Sequence, residues 1–367
     1  MTIKRLLVNG MVSPVGIGCD APVFSFDTDT EDAIFGVDVW ENDSKRTVAE
    51  CTVSTSMGKQ FRILKRLEAG KCYGWSVTDG THRVCSQFET GMIPNTPFIG
   101  AQGATRTLPL FTRSFFAKAD CQKARLYLTC VGLYRAFING ERVGRQYLTG
   151  NDGEPSRLFT QTYDVTDLIW YGVENELKVV LCGEGACFSA RLLMTDSEGK
   201  QQSVCTDSVW RVSESGGMYD RQSVYETWNC NACGSEAVVS VKSIPLSMLI
   251  FSGDRPPLIV RRIYFPIRVT DFWEEAREWH FDFGRTVNGI FRIQGRLSRG
   301  IRLDVICSET KDFSSPCCVF SFVSDGLEQT WEPIFSCLRF RYVCVAVSGE
   351  KAYVTVAALE LKRTDAK

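Results

Sequence analysis

Along most of this chain, apolar residues come in short runs that alternate with polar ones at a period of two, punctuated by Gly, Asn, Asp and Ser. Residues 1–92 repeat this pattern between turn clusters such as Asp27-Thr28-Asp29-Thr30 and Glu41-Asn42-Asp43-Ser44. A strand over 71–77 runs into a turn at Thr78-Asp79-Gly80-Thr81. Strands spaced at about ten residues, with no helical period, predict a β-sandwich. Gln87-Phe88-Glu89-Thr90-Gly91 reads as its last strand, and 94–103 as a linker.

The pattern resumes with strands over 124–133, 134–138 and 176–182. Asn139-Gly140 lies between apolar runs, and both residues accept the positive φ that a tight hairpin turn needs. Gly183-Glu184-Gly185 breaks the third strand before 188–194 resumes, and 196–200 is a turn. Strand 238–241 closes this second unit, and 252–257, with two prolines, reads as another linker. From Leu258 a third unit carries strands over 289–295, 301–307, 338–347 and 352–361. In the first of these, Phe291 and Ile293 alternate with Arg292 and Gln294, marking a half-buried strand. Helical turns are expected only near 165–170 and 274–278. The fold class is therefore all-β: three tandem sandwiches over 1–92, 104–248 and 256–363.

Composition adds limits. A chain of 367 residues is too long for one core and suits two or three domains. A net charge of -1 gives no electrostatic reason to expect nucleic acid or an anionic membrane as partner. No run approaches the roughly 20 apolar residues of a membrane-spanning helix. Lys4 and Arg5 precede only three apolar residues before Asn9-Gly10, so no signal peptide is read and a cytoplasmic location is expected. In a reducing compartment the 16 cysteines read as small buried hydrophobes, as Cys130 and Cys344 do within apolar runs. Cys230-Asn231-Ala232-Cys233 is a C-x-x-C, but zinc would need a second pair, and Cys317-Cys318 is adjacent. No metal is assigned on that basis. No cofactor is assigned either, since no glycine-rich phosphate loop leads into a helix. His82 and His280 are the only histidines; His280, between Trp279 and Phe281, reads as a hydrogen-bonded structural residue.

Several strings, taken in order, resemble the bacterial α-L-rhamnosidase family. The first unit carries Leu6-Leu7-Val8-Asn9-Gly10, Tyr73-Gly74-Trp75-Ser76-Val77 and Phe88-Glu89-Thr90-Gly91. The second carries Arg113-Ser114-Phe115-Phe116, Gly132-Leu133-Tyr134-Arg135-Ala136-Phe137-Ile138-Asn139-Gly140 and Gln161-Thr162-Tyr163-Asp164-Val165-Thr166. The third carries Phe281-Asp282-Phe283-Gly284-Arg285, Thr330-Trp331-Glu332-Pro333 and Arg339-Phe340-Arg341-Tyr342-Val343. The resemblance implies a fibronectin type III-like leader, a jelly-roll carbohydrate-binding-like domain and a concanavalin-like sandwich. In that family the catalytic carboxylates lie in a helical barrel after the third sandwich. No helix-rich segment is read before Lys367, so no catalytic residue is assigned.

The resemblance thus implies non-catalytic carbohydrate-binding or interaction modules. The alternative is an incomplete α-L-rhamnosidase whose barrel lies outside this chain. For sugar, aromatics that stack on pyranose faces must sit beside carboxylates and amides that bind hydroxyls. Asp152, Glu184, Tyr225, Glu226, Trp228 and Asn229, read as loop residues of the jelly roll, are the carbohydrate-binding candidates. Two loops depart from the family: Gly183-Glu184-Gly185-Ala186-Cys187-Phe188 lacks its Trp, and 223–229 lacks its Ala-Arg ending. Expected partners are rhamnose-containing or other glycans, with a homodimer or a separate catalytic partner covering an apolar face. The Phe-rich string 317–323 reads either as that face or as an ordinary interior strand.

Overall fold

In the computed structural model, which describes residues 2–102, 107–151, 158–220, 225–229, 231, 236–242, 249–251, 256–314, 316–349 and 353–363, every long element is a strand. The described helical segments are short turns at Thr55–Met57, Thr166–Leu168 and Trp273–Ala276, so two of the three fall where the sequence placed them. No helix among the described residues is long and apolar enough to cross a membrane.

The first unit pairs a three-stranded sheet, ordered Ile3–Val8, Val23–Thr28, Gln60–Arg62, with a five-stranded one. The second sheet runs Val15–Ile17, Arg83–Thr90, Cys72–Thr78, Ile34–Glu41, Thr47–Ser54. Alternate residues of both face one core. There the Phe24 ring stacks on Phe61 at 5.2 Å and meets Trp75 and Phe88 edge-on. Such pairs add about 0.5–1.5 kcal/mol beyond simple burial.

The second unit is organised by one antiparallel pair, Cys121–Ile138 with Glu174–Asp196. Its two halves have different neighbours. One half pairs with Pro109–Phe116, the other with Leu158–Asp164 and Gln201–Cys205. Side chains from both halves meet in a single core around Phe111, Leu126, Leu128, Val179 and Phe188. Asn139 and Gly140 have positive φ, 51° and 84°, and turn the chain into Glu141–Arg142. Residues 94–103 are not a plain linker: Phe98–Ala101 pairs with Glu174–Asp196 and with Val239–Lys242. Burial of Phe98 and Ile99 is the reason.

The third unit is built on Glu278–Arg296, which pairs with Leu338–Val347 along its first half and with Val354–Arg363 along its second. The string 317–323 is an interior strand, Pro316–Val323, with Phe320 and Phe322 buried beside Phe291. Exposed apolar side chains fall elsewhere, at Ile263, Phe265, Ile267 and Val269. One assignment moves between units. Gly217–Asp220 and Tyr225–Asn229, read as jelly-roll segments, pair with each other and join the third sheet against Pro316–Val323.

Candidate functional site

Tyr225–Asn229 is a strand of the third sheet, not a loop of the jelly roll, and its alternation decides what its side chains do. It runs parallel to Pro316–Val323, with Glu226 opposite Phe320 and Trp228 opposite Phe322. That register puts Glu226 inside, at 0% exposure. A buried carboxylate is tolerated only with hydrogen-bond partners, and Glu226 has four. One oxygen accepts from Trp228 Nε1 at 2.8 Å and from the Ile334 amide at 2.7 Å. The other accepts from the Phe335 amide at 3.3 Å and from Ser336 Oγ at 3.0 Å. Burial pushes the carboxyl above its ordinary range, against the pull of these donors.

The segment so held bridges two units. Phe335 packs on Leu108, Leu133, Val180 and Cys182 of the jelly roll. Arg135, also buried, donates to the Ile334 carbonyl at 3.2 Å. Burial, with the nearby Arg142 cation adding to it, brings its guanidinium down to about 10. Just before, Glu332 takes two bonds of 3.1 Å from Arg292 Nε and Nη2. It also accepts from Arg142 at 3.4 Å and from Tyr147 Oη at 3.2 Å. The Arg142 guanidinium lies 4.2 Å over the Tyr147 ring. The chemistry here is positional. Both oxygens of Glu226 are occupied and closed to solvent, so the group clamps 334–336 and offers a sugar hydroxyl no free lone pair at the surface.

The long pair bulges beside the junction residues Leu133 and Cys182. In the long pair Val131 faces Cys187 and Leu133 faces Cys182, so residues 183–186 stand opposite Gly132 alone. This bulge needs glycine: Gly132 has φ +89°, and a Cβ there would lie 2.4 Å from the Cys182 carbonyl oxygen. Thr149–Asn151 pairs along the same stretch. Glu184 projects from the bulge, exposed. Asp152, one residue beyond Asn151, lies outside the described residues, as do Cys230 and Cys233.

The six candidates are therefore not one cluster. Glu226 and Trp228 sit together in the junction. Tyr225 is half-buried beside Val319, and Asn229 is exposed, its side-chain oxygen accepting from the Asn231 amide at 2.9 Å. Glu184 stands on the bulge. The junction residues Arg135, Arg142, Tyr147 and Glu332 had no local signature, since Tyr147 and Glu332 are 185 residues apart in sequence. A second junction ties the first unit to the second: Arg125 holds Glu89 by bonds of 2.8 and 2.7 Å, with Lys123 at 3.1 Å from the same carboxylate.

Comparison with known proteins agrees with this architecture. Residues 119–189 match the family described as the alpha-L-rhamnosidase N-terminal domain. The alpha-L-rhamnosidase of Streptomyces avermitilis is 25% identical over 287 residues, 66% of this chain but 27% of that protein. One from Alteromonas sp. is 24% identical over 286 residues, 65% of this chain and 30% of its own length. Among solved structures, an alpha-L-rhamnosidase from Dictyoglumus thermophilum superposes with TM-score 0.81 at 18% identity, covering 99% of this chain and 49% of that one. The Streptomyces avermitilis enzyme complexed with L-rhamnose gives TM-score 0.75 at 14% identity, covering 99% and 58%. Residues 119–189, at the centre of the chain, thus resemble an α-L-rhamnosidase N-terminal domain, and the chain shares the β architecture of these proteins while spanning about half the length of the structures it matches.

Proposed function

We propose that this chain supplies the non-catalytic β-sandwich part of an α-L-rhamnosidase-like protein, and that it binds rhamnose-containing glycans weakly. The observation that carries the reading is the superposition of nearly the whole chain on the α-L-rhamnosidase of Dictyoglumus thermophilum. Two further points support it. One relative's structure holds L-rhamnose, and among the described residues no helical barrel is present to hold the carboxylate pair that glycoside hydrolysis requires. The bulge at 183–186 is the place for sugar, because Glu184 is solvent-facing there while Glu226 is consumed in the junction.

A second reading is favoured by the partial coverage of the relatives: the chain is one portion of a hydrolase whose catalytic barrel lies outside it. Both readings expect the purified chain alone to leave aryl α-L-rhamnosides intact. Titration with L-rhamnose and rhamnosyl oligosaccharides tests the first. Binding in the millimolar range that Glu184→Ala abolishes and Glu226→Gln leaves intact is expected. Turnover by the pure chain, or tight binding indifferent to Glu184→Ala, overturns the reading.

A further inference from the structure

Three side chains on the outer face of the third unit meet in a way that neither the fold nor the junctions require. Glu278 and His280 are two apart on one strand and so share a face; Cys344 lies directly opposite His280 on the neighbouring strand. Trp279 and Phe281, between and beyond the first two, point the other way into the core. One ligating atom from each of Glu278, His280 and Cys344 falls within 4.8 Å of the others. His280 Nε2 and Glu278 Oε1 are 2.8 Å apart. Cys344 is buried beneath them, while the other two side chains are each 27% exposed, leaving one side open to water.

We propose that Glu278, His280 and Cys344 form a three-ligand site for a divalent transition-metal ion, zinc being the best match. The donor set is the argument: thiolate, imidazole and carboxylate together suit a borderline-soft ion and not calcium or magnesium, and three protein ligands leave the fourth tetrahedral position to water. The fit needs little movement. Ligands at about 2.0 Å from zinc stand about 3.3 Å apart in a tetrahedron, so the Glu278–His280 pair opens by about half an ångström, within reach of side-chain rotation. Cys344 Sγ, within 4.8 Å of both, comes to about 3.5 Å from them as the ion binds.

An independent feature points to the same place. The His280 ring is held between two others, Phe272 at 4.7 Å and Phe313 at 4.9 Å between centroids. Phe313 reaches it from a left-handed backbone conformation, φ 53°. For a bulky residue that conformation is strained, and strain of this kind gathers where a side chain must be aimed. Without metal, burial and the neighbouring Glu278 carboxylate push the Cys344 thiol up to about 12, so it is protonated. On binding, the Sγ–H proton leaves to solvent as the metal–sulfur bond forms, and one proton is released per ion.

The test uses the whole purified chain, stripped with a chelator and titrated with Co²⁺ alone. We expect one equivalent to give a near-ultraviolet thiolate-to-cobalt charge-transfer band with tetrahedral visible bands, both bleached by Zn²⁺. Cys344→Ser removes the charge-transfer band. His280→Gln, which keeps the thiol in place should Cys344→Ser fail to fold, weakens binding at least about a hundredfold, since even outer-shell partners are worth about 10- to 100-fold. A variant lacking Cys230 and Cys233, the C-x-x-C pair, binds as wild type does. No charge-transfer band in the wild-type chain overturns the proposal. So does a band that survives His280→Gln undiminished, or one lost with Cys230 and Cys233 but kept in Cys344→Ser.

Discussion

Replacing Glu226 by Ala asks whether this carboxylate holds the junction or serves a ligand. The substitution leaves the Trp228 indole N–H and the Ile334 and Phe335 amides without acceptors, while the Ser336 hydroxyl can turn elsewhere. Each buried donor so stranded costs about 1–3 kcal/mol. Sparing the carboxylate its own desolvation returns part of this, so the net loss is about 3–5 kcal/mol for the three stranded donors. Arg135 adds to it, because Glu226 is among the charges that favour its protonated form. A chain of three units does not unfold in one step, so a global midpoint is the wrong readout. Native-state hydrogen exchange at the Ile334 and Phe335 amides reads the junction directly. At 1.4 kcal/mol per factor of ten, their protection falls by roughly a hundred- to a few-thousandfold. Glu226→Gln keeps one acceptor oxygen and costs about 1–2 kcal/mol. A change below about tenfold in the Ala variant refutes the clamp; loss of sugar binding with exchange unchanged would make Glu226 a ligand instead.

Two further outcomes are expected from the other units. Burial opposes the Glu89 charge, but Arg125 and Lys123 overcome it and hold the carboxyl below its ordinary value of 4.5. A group depressed in the folded state contributes in full above that value and is lost as pH falls through its folded pKa. Acid unfolding of the first unit from the second should therefore steepen below about pH 4.5, and Arg125→Ala should flatten that limb; an unchanged acid limb counts against the Glu89–Arg125 tie. Among the described cysteines, all free thiols, Cys51, Cys85 and Cys337 are exposed, whereas Cys130 and Cys307 are buried. Mass mapping after brief native alkylation should find the exposed three modified first and the buried pair only after denaturation; early labelling of Cys130 contradicts the packing.

The sequence alone determined the all-β class, because period-two alternation and turn residues are local signals that survive without any knowledge of partners. It also determined the Asn139-Gly140 hairpin, where positive φ is demanded by the residues themselves, and the short turns near Thr166 and Trp273. The resemblance to α-L-rhamnosidases lay in ordered strings of the same kind, and the comparisons support it. What tertiary structure decided was which sheet each strand joins and which face it buries. Tyr225–Asn229 carries the polar and aromatic residues of a binding loop, yet its pairing with Pro316–Val323 turns Glu226 inward and makes it a clamp. Phe98–Ala101 looks like linker until two neighbours supply its hydrogen bonds. Arg135, Arg142 and Tyr147 meet Glu332 and Ile334 from as much as 199 residues away in sequence, and Glu278, His280 and Cys344 meet across a strand pair. Alternation tells that a side chain faces one side or the other; only the register with a distant strand says what waits there, and that is set by long-range pairing no local window contains.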